Sequence, residues 1–185
     1  MTTGLLGGAF DPPHVGHVAL ARGALEHFDL DELVVLVVAD PGHKGVDAPA
    51  EARLALARAA FAGLAEVRLD PFARTVDSLR AGDWDDPLFL VGADQFASFL
   101  SWTEPDEVLE LARLGVATRP GYPRETLEPV LEGLRRPERV VFFEIEPTAA
   151  SSTEVRERVA RGEPIGELVP PAVAVLISEL DLYLG

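Results

Sequence analysis

Six short apolar runs, separated by stretches of helix length, constrain this chain more than any other feature. They are residues 3–8, Leu33 to Ala39, Glu66 to Asp70, Leu88 to Gly92, Leu114 to Thr118 and Arg139 to Ile145. Most are near-continuous rather than alternating, the pattern of strands covered on both faces, as in a parallel sheet. Between them lie helical patterns. Val18, Ala21, Leu25 and Phe28 keep a 3-4-3 spacing, and Ala50 to Phe61 reads as an alanine-rich helix with Arg53 and Arg58 outward. Pro105, followed by Asp106 and Glu107, marks another helix start, with proline and acidic residues in the first turn. Strict alternation of strand and helix predicts a doubly wound, Rossmann-like parallel α/β sheet with right-handed crossovers, in the order 3-2-1-4-5 plus a further strand.

The final third departs from this alternation. Ser151 to Arg161 and Pro170 to Leu180 read as consecutive helices broken at Gly162-Glu163-Pro164. They are expected to form a C-terminal helical appendage on one domain spanning 1–185, with the core at 1–147 and the helical part at 148–185. A chain of 185 residues is long enough to bury such a core.

A net charge of −15 argues against nucleic acid or an anionic membrane surface as partner, since both require a basic face. No apolar run approaches the ~18 residues of a spanning helix. The N-terminus lacks the basic-then-apolar pattern of a signal peptide, and the absence of cysteine fits a cytoplasmic protein. The sequence leaves room for a homo-oligomer. One lysine stands among fifteen arginines, Lys44 in Pro41-Gly42-His43-Lys44-Gly45. It is either a solvated loop residue or an ammonium doing something a guanidinium does not.

The densest chemistry lies at Gly7-Gly8-Ala9-Phe10-Asp11-Pro12-Pro13-His14-Val15-Gly16-His17. Paired glycines at a strand end let a backbone approach a ligand closely, and a helix N-terminus attracts anions. Histidines at i and i+3 share one helix face, so both ring edges can point at that anion. Zinc is the rival ligand, but it needs three or four protein ligands, and no cysteine is available. General acid–base catalysis is a third reading, although the motif offers no serine or cysteine as nucleophile. Phosphate binding uses the glycines as well as the histidines.

Two later segments suit the same ligand. In the predicted order the first and fourth strands lie side by side at the switch point, and the fourth ends in Gly92-Ala93-Asp94. Asp94 is either a turn or helix cap, or a carboxylate for ribose hydroxyls. Ser151-Ser152-Thr153-Glu154-Val155-Arg156 has capping-box spacing between Ser151 and Glu154, and it also describes a phosphate clamp at a positive helix end.

Together these residues resemble the nucleotidyltransferase superfamily, whose signature Gly-x-Phe-Asp-Pro-x-His-x-Gly-His is similar to residues 8–17. Pro41 to Lys44, Gly92 to Asp94, Trp102, Arg119-Pro120-Gly121, Ser151 to Arg156 and the tail from Leu168 to Tyr183 follow the order of bacterial nicotinate-nucleotide adenylyltransferases. The resemblance covers nearly the whole chain. It implies in-line attack of the nicotinate mononucleotide 5′-phosphate on the α-phosphorus of ATP, releasing pyrophosphate. It further implies His14, His17, Lys44 and Arg156 as the catalytic set on the phosphates, and Mg²⁺ held mainly by the phosphates themselves. Gly7, Gly8, Ala9, Phe10, Gly92, Asp94, Arg119, Ser152 and Thr153 are implied for ATP, and Trp102, Thr75 and Arg74 for the mononucleotide.

The chain departs from the family pattern at two places. Arg74 stands before Thr75 where the family often carries tyrosine, and either pairs with a nicotinate carboxylate or faces solvent. Val38-Ala39-Asp40-Pro41-Gly42 replaces a more proline-rich loop. Both lie on the mononucleotide side, so the rival readings are nicotinamide mononucleotide or phosphopantetheine as acceptor, or a nucleotide-binding protein without turnover. Trp102 has a core-packing reading beside its stacking one.

Overall fold

The computed structural model describes residues 1–42, 45–120 and 122–185. Its strands are β1 (Thr3–Gly8), β2 (Glu32–Val38), β3 (Glu66–Asp70), β4 (Leu88–Gly92), β5 (Arg113–Thr118) and β6 (Val140–Glu144). They form one parallel sheet in the order β3-β2-β1-β4-β5-β6, as the sequence predicts. The helices are α1 (Val15–Phe28), α2 (Ala50–Ala60), α3 (Thr75–Ala81), α4 (Ala93–Phe96), α5 (Pro105–Leu111), α6 (Glu128–Glu132), α7 (Ser152–Ala160) and α8 (Pro171–Glu179).

The near-continuous apolar strands have the expected cause. Leu5, Val34, Leu36, Phe89, Val91, Leu114 and Val116 face a core shared with α3, α5 and α6. Their neighbours Leu6, Val35, Val37, Leu88, Leu90 and Ala117 face a second core under α1 and α2. With both faces covered, a strand has no position left for a polar side chain. The edge strand β3 differs: Leu69 is exposed and Arg68 pairs with Glu66, charges that discourage edge-to-edge pairing.

The two last helices pack on α2 through a third cluster of Leu56, Val155, Leu168, Val169, Val173 and Ile177. Gly162, with φ +69°, turns the chain between them. Among the described residues no helix is long and apolar enough to cross a membrane.

One expectation fails. Arg53 does not face outward; it is fully buried in the first turns of α2, whereas Arg58 is exposed. Its guanidinium donates to four carbonyls: Nε to Ala48 (3.0 Å), Nη1 to Ala9 and Val38 (both 2.8 Å) and Nη2 to Ala39 (2.7 Å). Arg53, Leu56, Ala57 and Ala60 stand at i, i+3, i+4 and i+7, so the arginine occupies the buried stripe. The planar fork ties the carboxyl ends of β1 and β2 to the start of α2, a geometry lysine cannot reproduce.

Candidate active site

Segment 7–17 turns from β1 into α1 at the carboxyl edge of the sheet, where β1 and β4 lie side by side. His14 is not on the helix but caps it, with extended backbone (φ −137°, ψ 173°). Its Nδ1 accepts from the Gly16 N–H at 3.1 Å, and His17 Nδ1 accepts in return from the His14 N–H at 3.2 Å. This is a capping box with imidazoles in the places of serine and glutamate. The rings lie 3.8 Å apart, tilted by 35°.

The cap decides the chemistry of both rings. A nitrogen that accepts from a backbone N–H carries no proton, so each neutral imidazole carries its hydrogen on Nε2. Burial pushes the His14 imidazolium down to about 4, in the same direction as the cap. At neutral pH His14 is a neutral donor and not a cation. The helix N–H groups themselves are engaged: Val15 donates to the Leu168 carbonyl (2.9 Å), Gly16 to His14 Nδ1, and His17 to the His14 carbonyl (3.0 Å). An anion here therefore meets imidazole N–H groups polarised by the helix terminus, and not the bare helix terminus that the sequence suggests.

Phe10 takes a different place from the one expected. Its ring is 3% exposed, folded over Gly8 and edge-on to His17 (5.1 Å) and Phe61 (5.7 Å). A Cβ at Gly8 would lie 3.1 Å from that ring. Phe10 thus supports His17 from the core, and only its backbone is left to line the cleft.

Asp11 is the hub of the turn. It is 6% exposed, and its carboxylate accepts from the N–H groups of Asp47 (2.6 Å) and Ala48 (3.1 Å) and from the Tyr183 hydroxyl (2.7 Å). Burial, then the bond to Asp11, raises the Tyr183 phenol above its ordinary range and keeps it a neutral donor. Arg156, in α7, donates to the Asp11 carbonyl at 2.9 Å and pairs with the Asp47 carboxylate. Ser152 Oγ donates to the Pro12 carbonyl at 2.8 Å, and Thr153 is exposed. Ser151 caps α7 by accepting from Glu154 N–H (3.1 Å), but Glu154 binds Arg158 (2.7 Å) instead of closing a capping box.

A cleft continues along the sheet edge. About 140 Å³ is lined by Gly92, Asp94, Arg119, Tyr122 and Thr148 among others, opening onto a wider concavity of about 470 Å³ beside Asp94, Arg119 and Tyr122. Gly92 has open space where a Cβ would stand, and Asp94 is exposed in the first turn of α4. The cleft reaches the histidines through Thr148: a Cβ at Gly16 would lie 2.7 Å from its Oγ1 and 3.0 Å from the His14 ring.

Trp102 packs against Phe99 (5.1 Å) and edge-on to Phe89 (6.4 Å), with part of its surface left open. Phe89 in turn abuts Gly7, where a Cβ would lie 3.0 Å from its ring. Both readings of the tryptophan are thus compatible in one position. Thr75 opens α3 and Arg74 before it is exposed, its charge felt by Glu104. Gly42 abuts that loop, a Cβ there lying 3.9 Å from Ala73 Cβ. Lys44, with His43, and Gly121 lie outside the described residues.

The structure thus brings His14, His17, Ser152 and Arg156 onto one turn and Gly92, Asp94 and Arg119 onto one cleft beside it. Sequence reasoning gives no role to Asp11, Arg53, Thr148 or Tyr183. Arg53 carried a signal in its place on the apolar stripe of α2, and Asp11 and Tyr183 lie within the signature and the tail of the resemblance, without a role attached.

Comparison with known proteins identifies the family of the chain. A family model described as cytidylyltransferase-like matches residues 5–158. A probable nicotinate-nucleotide adenylyltransferase of Bordetella avium is 37% identical, covering 97% of this chain and 96% of that one. Its counterpart in Thermus thermophilus is also 37% identical, covering 99% and 100%. The Plasmodium falciparum nicotinic acid mononucleotide adenylyltransferase complexed with NaAD shares the fold at a TM-score of 0.76 and 16% identity, with 98% and 97% covered. By sequence match along its full length, this chain belongs to the cytidylyltransferase-like family and, within it, to the nicotinate-nucleotide adenylyltransferases.

Proposed function

We propose that the chain transfers the adenylyl group of ATP to nicotinate mononucleotide, giving nicotinate adenine dinucleotide and pyrophosphate. The observation that carries the chemistry is the reciprocal cap of His14 and His17, which fixes two imidazoles as Nε2–H donors beside the cleft at the sheet edge. The choice of acceptor is supported by the Bordetella avium and Thermus thermophilus relatives, whose names specify nicotinate.

The 5′-phosphate oxygen of the mononucleotide forms a bond to the α-phosphorus while the bond to the bridging oxygen of pyrophosphate breaks. The nucleophile is already an anion, so no protein group needs to take a proton. Positioning and stabilisation of charge on the leaving phosphates are what remain for the protein. In this reading the two imidazoles donate to phosphate oxygens and Arg156 and Lys44 supply positive charge. Asp94 accepts from ribose hydroxyls, Arg119 borders the ATP side, and Trp102 stacks on the pyridine ring with Thr75 nearby.

Among the described residues no three or more of His, Asp and Glu cluster as a metal cage, and the Asp11 carboxylate is taken by three donors. In this reading Mg²⁺ is carried by the substrate phosphates, where it would neutralise charge on the departing pyrophosphate. The test is pyrophosphate release with ATP and Mg²⁺, comparing nicotinate mononucleotide, nicotinamide mononucleotide and phosphopantetheine. Release with nicotinate mononucleotide in clear preference is expected. Activity with phosphopantetheine alone would overturn the assignment.

A further inference from the structure

The family match ends at residue 158, yet the chain beyond it reaches back to the histidine turn twice. The Leu168 carbonyl accepts from the N–H of Val15, the first residue of α1, at 2.9 Å. The Tyr183 hydroxyl donates to Asp11 Oδ1 at 2.7 Å across 172 positions of sequence. Tyr183 adopts φ +63°, a left-handed conformation that a bulky side chain takes only when its surroundings impose it. What the surroundings provide is that one hydroxyl bond, together with the packing of the ring against the α2–α8 cluster.

Asp11 couples the two ends of the site. One carboxylate oxygen receives Asp47 N–H, and the other receives Ala48 N–H and the phenol. Tyr183 is the one side-chain donor among these three partners, and so the one that substitution can remove without touching the backbone. Without it Oδ1 keeps a single backbone bond at 3.1 Å, and the carboxylate is held by the N–H groups of Asp47 and Ala48 alone, a looser restraint on its orientation. Asp11 lies three residues before His14, so a shift of its carboxylate has a short path, the 11–14 turn, to the cap that sets both Nε2–H directions.

We propose that Tyr183 is a positioning residue for adenylyl transfer: through Asp11 it holds the His14–His17 cap in register with the nucleotide cleft. The proposal rests on the adenylyl-transfer reading for its kinetic consequence but not for its structural one. It therefore requires two readouts.

The variants are Tyr183→Phe, which removes only the hydroxyl, and Val173→Ala, which loosens the same helical cluster without reaching Asp11. Tyr183→Phe is expected to lower kcat by about tenfold to a hundredfold, the cost of slight misplacement at a reacting centre. The KM for nicotinate mononucleotide should stay near that of the parent. Val173→Ala should lower the melting temperature but keep kcat when assayed well below it. Independently of turnover, ¹⁵N-labelled histidine spectra of the free protein should show shifted ring-nitrogen signals for His14 and His17 in Tyr183→Phe but not in Val173→Ala. Unchanged kcat with unchanged histidine signals in Tyr183→Phe would overturn the proposal. So would parallel loss of kcat in both variants in proportion to lost stability. If the parent releases no pyrophosphate from any acceptor, the functional reading fails. In that case the histidine signals alone decide the positioning role: shifts confined to Tyr183→Phe uphold it, and their absence overturns it.

Discussion

The His14 cap predicts a specific acid sensitivity. In the unfolded chain an imidazole titrates near its ordinary value of about 6.5, whereas burial holds the folded His14 at about 4. Between those values the unfolded state binds a proton that the folded state refuses. Stability from this group is therefore fully present above about pH 6.5 and is lost as pH falls towards 4, below which both states are protonated. The gap amounts to about 3 kcal/mol, at about 1.4 kcal/mol per tenfold change, with about 2.5 kcal/mol of it gone by about pH 4.5. Other carboxylates titrate over the same range, so the measurement is a difference. His14→Asn keeps a side-chain acceptor for the Gly16 N–H, since asparagine is among the best N-caps, but does not titrate. Urea unfolding of both proteins at several pH values between about 7.5 and 4.5 should show the parent losing about 2.5 kcal/mol more than the variant. A difference that stays within about 0.5 kcal/mol would refute the neutral, Nε2-protonated state assigned to His14.

Other perturbations test separate parts of the structure. His17→Ala should reduce kcat by about 10²–10³ while the protein stays folded, as loss of a preorganised donor to a developing charge does; undiminished turnover would remove His17 from the chemistry. Arg53→Met leaves the carbonyls of Ala9, Val38, Ala39 and Ala48 without their shared donor and should cost about 3–5 kcal/mol in urea unfolding. A cost under about 1 kcal/mol would contradict the buried-fork assignment. Trp102→Ala should raise the KM for nicotinate mononucleotide more than that for ATP, and an equal rise for both would leave the ring with packing against Phe89 and Phe99 alone.

What was legible in the sequence divides along physical lines. The sheet order and the strand ends at Gly8, Asp70, Gly92 and Thr118 follow from local apolar runs, because burial on both faces leaves a run that composition alone reveals. The candidate residues on the histidine motif and at the start of α7 stand out for a similar reason, since each motif is contiguous. Side-chain destinations were not. Glu154 has the spacing of a capping partner but binds Arg158 one turn on, an i,i+4 choice that capping-box spacing cannot exclude. Histidine at an N-cap falls outside the usual Ser, Thr, Asp and Asn preference, so its role as cap and donor together emerges only from geometry. The Tyr183–Asp11 bond spans 172 positions and leaves no periodic trace.

A chain with net charge −15 that binds two anionic substrates must solve a problem that its arginines do not solve by number. On the surface Arg68, Arg80, Arg136, Arg158 and Arg161 are matched to neighbouring glutamates, and even Arg156 shares its guanidinium with Asp47. Such pairs cancel at a distance and leave little field to draw phosphate in. In the proposed reading the donors that meet the phosphates, beside Arg156 and Lys44, are neutral dipoles: two imidazole N–H groups polarised by a helix terminus. A fixed charge attracts from any direction, but a dipole stabilises an anion only when it points at it and does not reorient. That requirement accounts for how heavily the turn is restrained. Asp47 and Ala48 hold the Asp11 carboxylate from one side and Tyr183 from another, Arg156 and Ser152 hold the carbonyls of Asp11 and Pro12, and Leu168 holds the first N–H of α1. An enzyme relying on mobile lysines would need none of these. In that reading orientation adds to what Arg156 and Lys44 supply as charge, and the restraints on residues 11–15 serve the proposed chemistry as much as the histidines do.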